Sequence, residues 1–348
     1  MAVASTPATA PSRDDAPRRI TARPSASDRV FRGILRSAGI AVLVITALIL
    51  VFLIVQSIPA FRAEGFRFFT TSALLYGNNQ FGIAALLPDS VLIALIALVI
   101  AFPAGLAVAI YISEYAPQAL RRPLIAVVDL LAAIPSIAFA LWGLFFLMPR
   151  IPGTASWLAQ HLGFIPVFHF PMAASPGCRV GSQLAPSINP ACFVGSTFIA
   201  GIVVSLMVIP IIASLSRQVF SQAPQGEREA AYALGSTRWG MVRTVVLPFG
   251  RAGVIGASML GMGRALGETI AVSFILTPPT SSVNIHVLEG GGNSITAQIA
   301  NQLFSWSAQG RSDLLAAGLV LFVLTLIINT IASIVISRSR SGAATEAD

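Results

Sequence analysis

The sequence predicts an all-α polytopic membrane protein with six transmembrane helices. Of its 348 residues, 55% are hydrophobic and only 10% are charged, and its mean hydropathy is strongly positive. Six apolar runs are long enough to cross a bilayer core of about 30 Å, which requires roughly 20 helical residues. The basic residues lie between these runs rather than in one patch, which favours a membrane topology over a nucleic-acid-binding surface.

The six predicted spans follow a polar N-terminal segment. Residues 1–36 are rich in Ala, Ser, Pro and Thr and contain seven arginines, which predicts a disordered tail. A cleaved signal peptide is the alternative, but the next apolar run is too long for its hydrophobic region. Pro103, Pro135 and Pro210 lie within three of the runs and predict kinks rather than breaks. The spans are Ala38–Val55, Val91–Ile112, Pro123–Met148, Phe193–Leu215, Gly253–Ile275 and Leu314–Ile336.

The distribution of arginine predicts the orientation of the chain. The sequence contains no lysine, and with the N-terminus inside, 16 of its 22 basic residues fall on the inner side and five on the outer side. Because basic residues are enriched in cytoplasmic segments, we expect both tails, 1–36 and 338–348, in the cytoplasm. The transmembrane domain then occupies 37–337, with a polar inner loop at 224–250 and a long outer loop at 151–192.

The inner loop at 224–250 begins with a predicted short helix that ends at a glycine. Gln225–Leu234 is rich in good helix formers, and the glutamates in its first turn, among them Glu229, complement the helix dipole. Gly235 stands where a helix commonly ends in the left-handed conformation. The small side chains of Ala230 and Ala231 allow a partner to approach closely.

A second short helix is predicted after the glycine. Ser236 or Thr237 can cap Arg238–Val246, which Pro248 is expected to close because proline disfavours helical conformation in the preceding residue. The two helices and their glycine would form a compact elbow. An ordinary amphipathic loop is the alternative interpretation.

Two charged residues lie within the fifth span. Arg264 and Glu268 are four residues apart, so they share a helix face and can pair. Arg264 is about eleven residues, or roughly 16 Å, from the start of the span, near mid-bilayer, where a charge facing lipid is costly. A structural ion pair and a station on the path of an anion are both open, and a planar guanidinium that suits oxyanions slightly favours the path. Asp129 in the third span is interpreted as structural.

The outer loop at 151–192 contains both cysteines of the chain. The spacing of His161, His169, Cys178 and Cys192 matches no standard zinc pattern, so no metal is expected. A disulfide between Cys178 and Cys192 on the oxidising side is favoured over zinc or two free thiols. A bond that closes a loop of this size contributes about 3 kcal/mol.

Three segments resemble the PstC permeases of bacterial phosphate ABC importers. The inner loop carries the EAA pattern of type I ABC importer permeases in general. The run GMGRALGETIAV (Gly261–Val272) is typical of the phosphate group, which includes the related PstA permeases, and DLLAAIPSIAFALWGLF (Asp129–Phe145) supports the same family. The resemblance covers roughly residues 30–340 and leaves the outer loop unmatched. The EAA pattern consists of Glu229, Ala230, Ala231, Gly235, Leu247 and Pro248.

This resemblance implies a MetI-like bundle that forms half of a pathway for inorganic phosphate and performs no chemistry. Its partners would be a PstA-like permease, two PstB-like ATPase subunits and a PstS-like phosphate-binding protein, within a lipid bilayer and without cofactor or nucleic acid. The six residues of the EAA pattern would couple to the ATPase, and Arg264 and Glu268 would line the pathway. The chain has no Walker-type glycine motif, so ATP hydrolysis would belong to a partner. A permease for sulfate, molybdate or phosphonate and a stand-alone secondary transporter are the alternatives.

Overall fold

The structure, a computed structural model, describes residues 26–71, 74–75, 80–170, 179–180, 187–188, 190–276, 285–304 and 307–339. Nearly all of these residues are helical. Turns and loops connect the helices, and the strands among the described residues form two short antiparallel pairs: β1 (Leu74–Leu75) with β2 (Gln80–Phe81), and β3 (Arg179–Val180) with β4 (Ser187–Ile188). The α-helices are α1 (Ala26–Glu64), α2 (Arg67–Thr70), α3 (Leu86–Ile110), α4 (Gln118–Ala133), α5 (Ser136–Trp142), α6 (Ile151–Leu162), α7 (Thr197–Ser221), α8 (Gln225–Ala233), α9 (Arg238–Met241), α10 (Leu247–Leu266), α11 (Ile270–Ile275), α12 (Ile295–Gln302) and α13 (Ala308–Ser339).

The helical content and the apolar spans confirm the predicted fold class. Within the described residues, five helices are long and apolar enough to cross a membrane, and a sixth span results when one bent pair of helices is counted together. The five are Ala26–Glu64, Leu86–Tyr115, Thr197–Ser221, Arg238–Leu266 and Gln309–Ser337, and the bent pair is Gln118–Ala133 with Ser136–Leu147.

The first helix begins earlier than the sequence predicts. The chain divides into two units, 1–51 and 52–348, and the described part of the first unit is the N-terminal portion of α1. Residues 26–36, expected in a disordered tail, are helical because Asp28 lies in the first turn, where it complements the helix dipole, and apolar residues recur at helical spacing. The rest of the predicted tail, 1–25, lies outside the described residues, as does 340–348 at the other end.

The third predicted span is broken rather than kinked. Its helix ends at Ala133 and restarts at Ser136, with an angle of 89° between the two parts. Pro135 cannot donate to the preceding turn, and it holds Ile134 in an extended conformation with ψ of 129°. Pro103 and Pro210, by contrast, lie inside the continuous helices α3 and α7.

The core of the second unit lies between α3 and α7, which form its largest helix–helix interface. Two glycines allow their close approach. A methyl group at Gly105 would lie 2.9 Å from Ile212, and one at Gly201 would lie 2.5 Å from Ile96. Residues of α5 and α11, such as Ala140 and Ile275, complete this apolar core.

The outer loop at 151–192 is partly helical, because it contains α6. His161 stacks on Trp157 with 4.5 Å between ring centroids, and His169 lies 5.8 Å from His286. Cys192 is disulfide-bonded, whereas Cys178 lies outside the described residues. The pairing of these two cysteines therefore stays a prediction.

Candidate functional site

The predicted elbow is present at 224–250, and local sequence rules explain its shape. Helix α8 is followed by Gly235, whose φ of +82° is the left-handed conformation that glycine adopts without strain. Thr237 rather than Ser236 caps α9, because its Oγ1 accepts a hydrogen bond of 3.1 Å from the backbone N–H of Gly240. The two helices are thus separated by one turn built around a single glycine.

Pro248 does not close the second helix, contrary to the sequence prediction. The chain runs from Arg238 to Leu266 as one helical rod of 29 residues, with a π-helical turn at Val242–Val246. The N–H of Leu247 bonds to the carbonyl of Val242, five residues back, so the hydrogen-bond register shifts just before the proline. Pro248 then lies in the first turn of α10, where its missing N–H is tolerated.

The base of the elbow is fixed by an apolar cluster. Phe220 at the end of α7 packs with Met241, Val242 and Val246 of the rod, and all four are buried. Burying a side chain of this size contributes roughly 1.5–3 kcal/mol relative to exposure. The buried cluster therefore fastens the elbow end of the rod to the end of α7.

An ion pair fixes the first helix of the elbow to the bundle. Arg228 Nη1 donates to Glu114 Oε2 at 2.9 Å, and Arg228 Nη2 donates to the carbonyl of Phe220 at 2.5 Å. The Glu114 side chain is 4% exposed and that of Arg228 is 20% exposed. Sequence reasoning missed this pair, because its members are 114 residues apart and each reads as an ordinary loop charge.

The tip of the elbow exposes apolar side chains. Leu234 is 89% exposed and Trp239 is 53% exposed. The predicted coupling residues Glu229, Ala230, Gly235 and Pro248 are also exposed, whereas Ala231 and Leu247 are half-buried. A protruding apolar tip beside small side chains is typical of a surface that a protein partner covers. Leu234 and Trp239 were not singled out from the sequence, although a leucine next to a helix-ending glycine is a usable signal.

The predicted Arg264–Glu268 pair does not form, because the fifth span is interrupted between them. Helix α10 ends at Leu266 and α11 begins at Ile270. Glu268 is 9% exposed, and its Oε1 accepts a hydrogen bond of 3.3 Å from the N–H of Ala271 at the start of α11. Arg264 lies exposed in the last turn of α10, where its charge complements the helix dipole.

Other elements hold the interruption in place. The hydroxyl of Thr296, in α12, donates to the backbone carbonyl of Glu268 at 2.9 Å. Helix α11 packs against α5, the helix that begins after the break at Pro135. The two broken helices of the bundle are therefore neighbours. Asp129 has a structural contact of its own. Its Oδ1 accepts a 3.0 Å hydrogen bond from Ser214 Oγ, which links α4 to α7.

These features define a class of protein. An α-helical bundle with several apolar spans, a polar cytoplasmic-type elbow and an arginine exposed within a span is typical of a membrane-embedded transport component. Residues 101–341 match the family described as binding-protein-dependent transport system inner membrane component. The chain is thus a multi-pass inner membrane protein.

Individual relatives narrow the family. The chain is 38% identical over 309 residues to the phosphate transport system permease protein PstC 2 of Mycobacterium tuberculosis, covering 88% of this chain and 90% of that protein. It is 35% identical over 346 residues to phosphate transport system permease protein PstC of Mesorhizobium japonicum, covering 97% and 98%. The chain therefore belongs to the binding-protein-dependent transport permeases and, within them, to the PstC group.

The fold is also that of a solved transporter. A bacterial ABC transporter involved in the import of the acidic polysaccharide alginate matches with a TM-score of 0.52 and 19% sequence identity, over 89% of this chain and 99% of that one. Together with the family match, this likeness confirms the predicted MetI-like fold of type I ABC importer permeases.

Proposed function

We propose that this chain is one of two permease subunits of an ATP-driven importer of inorganic phosphate and forms half of its translocation pathway. The phosphate transport function named for its PstC relatives supports this substrate. The partners would be a PstA-like permease, two PstB-like ATPase subunits that hydrolyse ATP, and a PstS-like binding protein. The arginine distribution supports an orientation with both termini and the elbow in the cytoplasm.

The exposure of Arg264 carries the proposal. A guanidinium facing lipid at the centre of a helix costs about 2.5–3.5 kcal/mol on insertion scales. Arg264 is exposed on this chain, and no described residue pairs with it. A second permease subunit or a water-filled path must therefore cover its side chain. In such a path, its planar fork of N–H donors would bind a tetrahedral oxyanion.

Glu268 acts in this proposal as a positioning residue. Its carboxylate is buried and accepts from the first turn of α11, so it fixes where the span restarts. The interruption leaves backbone groups of Gly267 and Thr269 outside regular helix. Irregular backbone at membrane depth is tolerated where it lines a cavity or lies inside protein. Glu268 would thus shape the path beside Arg264 rather than neutralise its charge.

The helical rod supplies the coupling. Arg238, at the elbow, and Arg264 lie on the same helix, about 39 Å apart at 1.5 Å per residue. The exposed tip of the elbow would dock on an ATPase subunit, and closure of the ATPase pair would displace the rod. Arg264 would move with it, which opens the path alternately to the binding protein and to the cytoplasm.

Uptake of labelled phosphate by the assembled transporter in proteoliposomes tests the proposal. Arg264→Gln is expected to abolish ATP-dependent uptake while the complex still assembles. Arg251→Gln, which removes an exposed arginine from the same rod near the elbow, is the matched control and should retain uptake. Sulfate, molybdate and phosphonate are added in excess as competitors. Full uptake by Arg264→Gln would refute the pathway role. If an excess of one competing anion abolished phosphate uptake, that anion would be assigned as the substrate instead of phosphate.

A further inference from the structure

A second cationic site lies at the base of the elbow, away from Arg264. Four elements line a partly open cavity of about 230 Å³: the π-helical segment Tyr111–Tyr115 that follows α3, the start of α4, the end of α7 and the start of α8. Three arginines line the cavity, each from a different helix: Arg121 from α4, Arg217 from α7 and Arg228 from α8. Its other lining residues are Ile112, Ser113, Ile125, Ser221, Ala223 and Gln225.

The three arginines differ in how their donors are used. Arg121 donates from Nε to the carbonyl of Ile112 at 3.0 Å and from Nη2 to the carbonyl of Ser113. Arg228 is held by Glu114 and by the carbonyl of Phe220, and its buried Nε has no partner. Arg217 makes no hydrogen bond or ion pair with any described residue, and its Nε is buried without a partner.

The charges around this cavity do not balance. Three guanidinium groups meet one carboxylate, Glu114, which is already paired with Arg228. Glu229, the next acidic residue along α8, is exposed and accepts from Gln225 at 3.1 Å. The Nε groups of Arg217 and Arg228 are buried without a partner, and a buried donor that makes no hydrogen bond is costly. The wall therefore carries two net positive charges toward a space that can hold a small ligand and water, since a water occupies about 30 Å³.

We propose that this cavity binds a phosphate-type oxyanion. A dianionic tetrahedral group would accept hydrogen bonds from Arg217 and from the free donors of its neighbours, with Ser221 at the rim. The same chemistry has two sources: inorganic phosphate from solution, or the phosphate of an anionic lipid headgroup at the membrane surface. In either case the ligand would bridge α7 to α8 and hold the elbow against the bundle.

The site is separate from the translocation pathway and does not depend on phosphate import. Arg217 and Arg228 lie where α7 meets the elbow, whereas Arg264 lies at the far end of the rod. Binding can be measured without ATP and without transport. A transporter that did not import phosphate would refute the proposed function but not this binding site. Absence of phosphate-type ligand binding at this cavity would refute the site but not the proposed import.

Thermal unfolding of the purified full-length chain in detergent tests the proposal, with inorganic phosphate titrated against potassium chloride of equal ionic strength. The variant is Arg217→Gln, which removes no hydrogen bond or ion pair with a described residue and is checked for monodispersity by size exclusion. Arg243→Gln, an exposed arginine of the π-helical turn outside the cavity, is the matched control. Arg264→Gln removes the pathway arginine. Ser221→Asp places a carboxylate at the rim and serves as a second variant that removes no arginine.

Phosphate is expected to raise the unfolding midpoint of the native chain, of Arg243→Gln and of Arg264→Gln. Arg217→Gln and Ser221→Asp should each weaken the apparent affinity by about tenfold or more, as expected for the loss of a charge-assisted hydrogen bond. A lipid occupant would show instead as anionic phospholipid that co-purifies with the native chain and Arg243→Gln but not with Arg217→Gln, detected by native mass spectrometry. The proposal would be overturned if neither signal appeared in the native chain. It would also be overturned if Arg217→Gln kept the native affinity for phosphate, also in the Arg264→Gln background, and co-purified with as much anionic phospholipid as the native chain.

Discussion

The ion pair between Glu114 and Arg228 is expected to control how firmly the elbow is held. Glu114→Gln keeps the shape of the side chain and leaves a positive charge facing a neutral amide. Removing one partner from a fully buried pair costs about 3–5 kcal/mol. The Arg228 side chain is 20% exposed and keeps its bond to the carbonyl of Phe220, so solvent screening reduces the expected cost to about 2–3 kcal/mol.

Hydrogen–deuterium exchange of the amides in α8 measures this cost locally. A loss of about 2–3 kcal/mol should speed exchange through local opening by roughly 30- to 150-fold. The matched control is Glu227→Gln, which removes the same charge from an exposed position in the first turn of α8. It should change exchange by no more than about fivefold, because an exposed charge that complements the helix dipole contributes at most about 1 kcal/mol. In the assembled transporter, Glu114→Gln should also raise the ATP hydrolysed per phosphate imported.

A double-mutant cycle separates the pair from its surroundings. Arg228→Gln alone should loosen α8 by a similar amount, and the Glu114→Gln/Arg228→Gln double variant should cost less than the sum of the two. Strict additivity would mean that the two residues do not interact. Unchanged exchange in Glu114→Gln would refute the reasoning that this pair anchors the elbow.

Three further perturbations follow from the backbone and the outer loop. Gly235→Ala should weaken ATPase binding because an alanine in the left-handed conformation costs about 1–2 kcal/mol. Gly235→Asn should retain ATPase binding, since asparagine tolerates this conformation. An equal loss of binding in both variants would assign the effect to side-chain bulk. Pro135→Ala should let the helix propagate across the break and reduce phosphate uptake in an assembled transporter, while Pro103→Ala in continuous helix should not; normal uptake in Pro135→Ala would dissociate the break from transport. Mass spectrometry of unreduced protein should show Cys178 joined to Cys192, and two alkylatable thiols would reject the disulfide.

Features decided within a few residues were predictable from the sequence. The left-handed conformation of Gly235 and the cap at Thr237 follow from local geometry, since each depends on backbone groups within one turn. The number of apolar spans follows from the length of each run, because any segment of that composition must be helical in lipid. The position of the elbow and its two helices joined at a glycine could therefore be predicted from the sequence, whereas its contacts with the bundle could not.

Features decided by packing were not predictable in the same way. Pro103 and Pro210 lie inside continuous helices that pack closely on one another, whereas Pro135 ends its helix, and no local rule distinguishes the three. The expected pairing of Arg264 with Glu268 assumed a continuous helix. A signal against it was present, because Gly267 and Glu268 precede an apolar run in the positions that end one helix and cap the next.

The π-helical turn and the interruption give the rod two mechanically different ends. At the elbow, Met241 and Val246 are buried in the same cluster as Phe220 of α7, so this end of the rod is firmly packed. At the other end, Gly267 separates Arg264 from Glu268, which is tied through Ala271 and Thr296 to elements that do not belong to the rod. In the proposed mechanism, motion of the rod would therefore change the distance between Arg264 and Glu268. The sequence spacing indicated a continuous helix in which Arg264 and Glu268 pair. In that arrangement the glutamate would move together with the arginine, so motion of the rod would leave the electrostatic potential along the path unchanged.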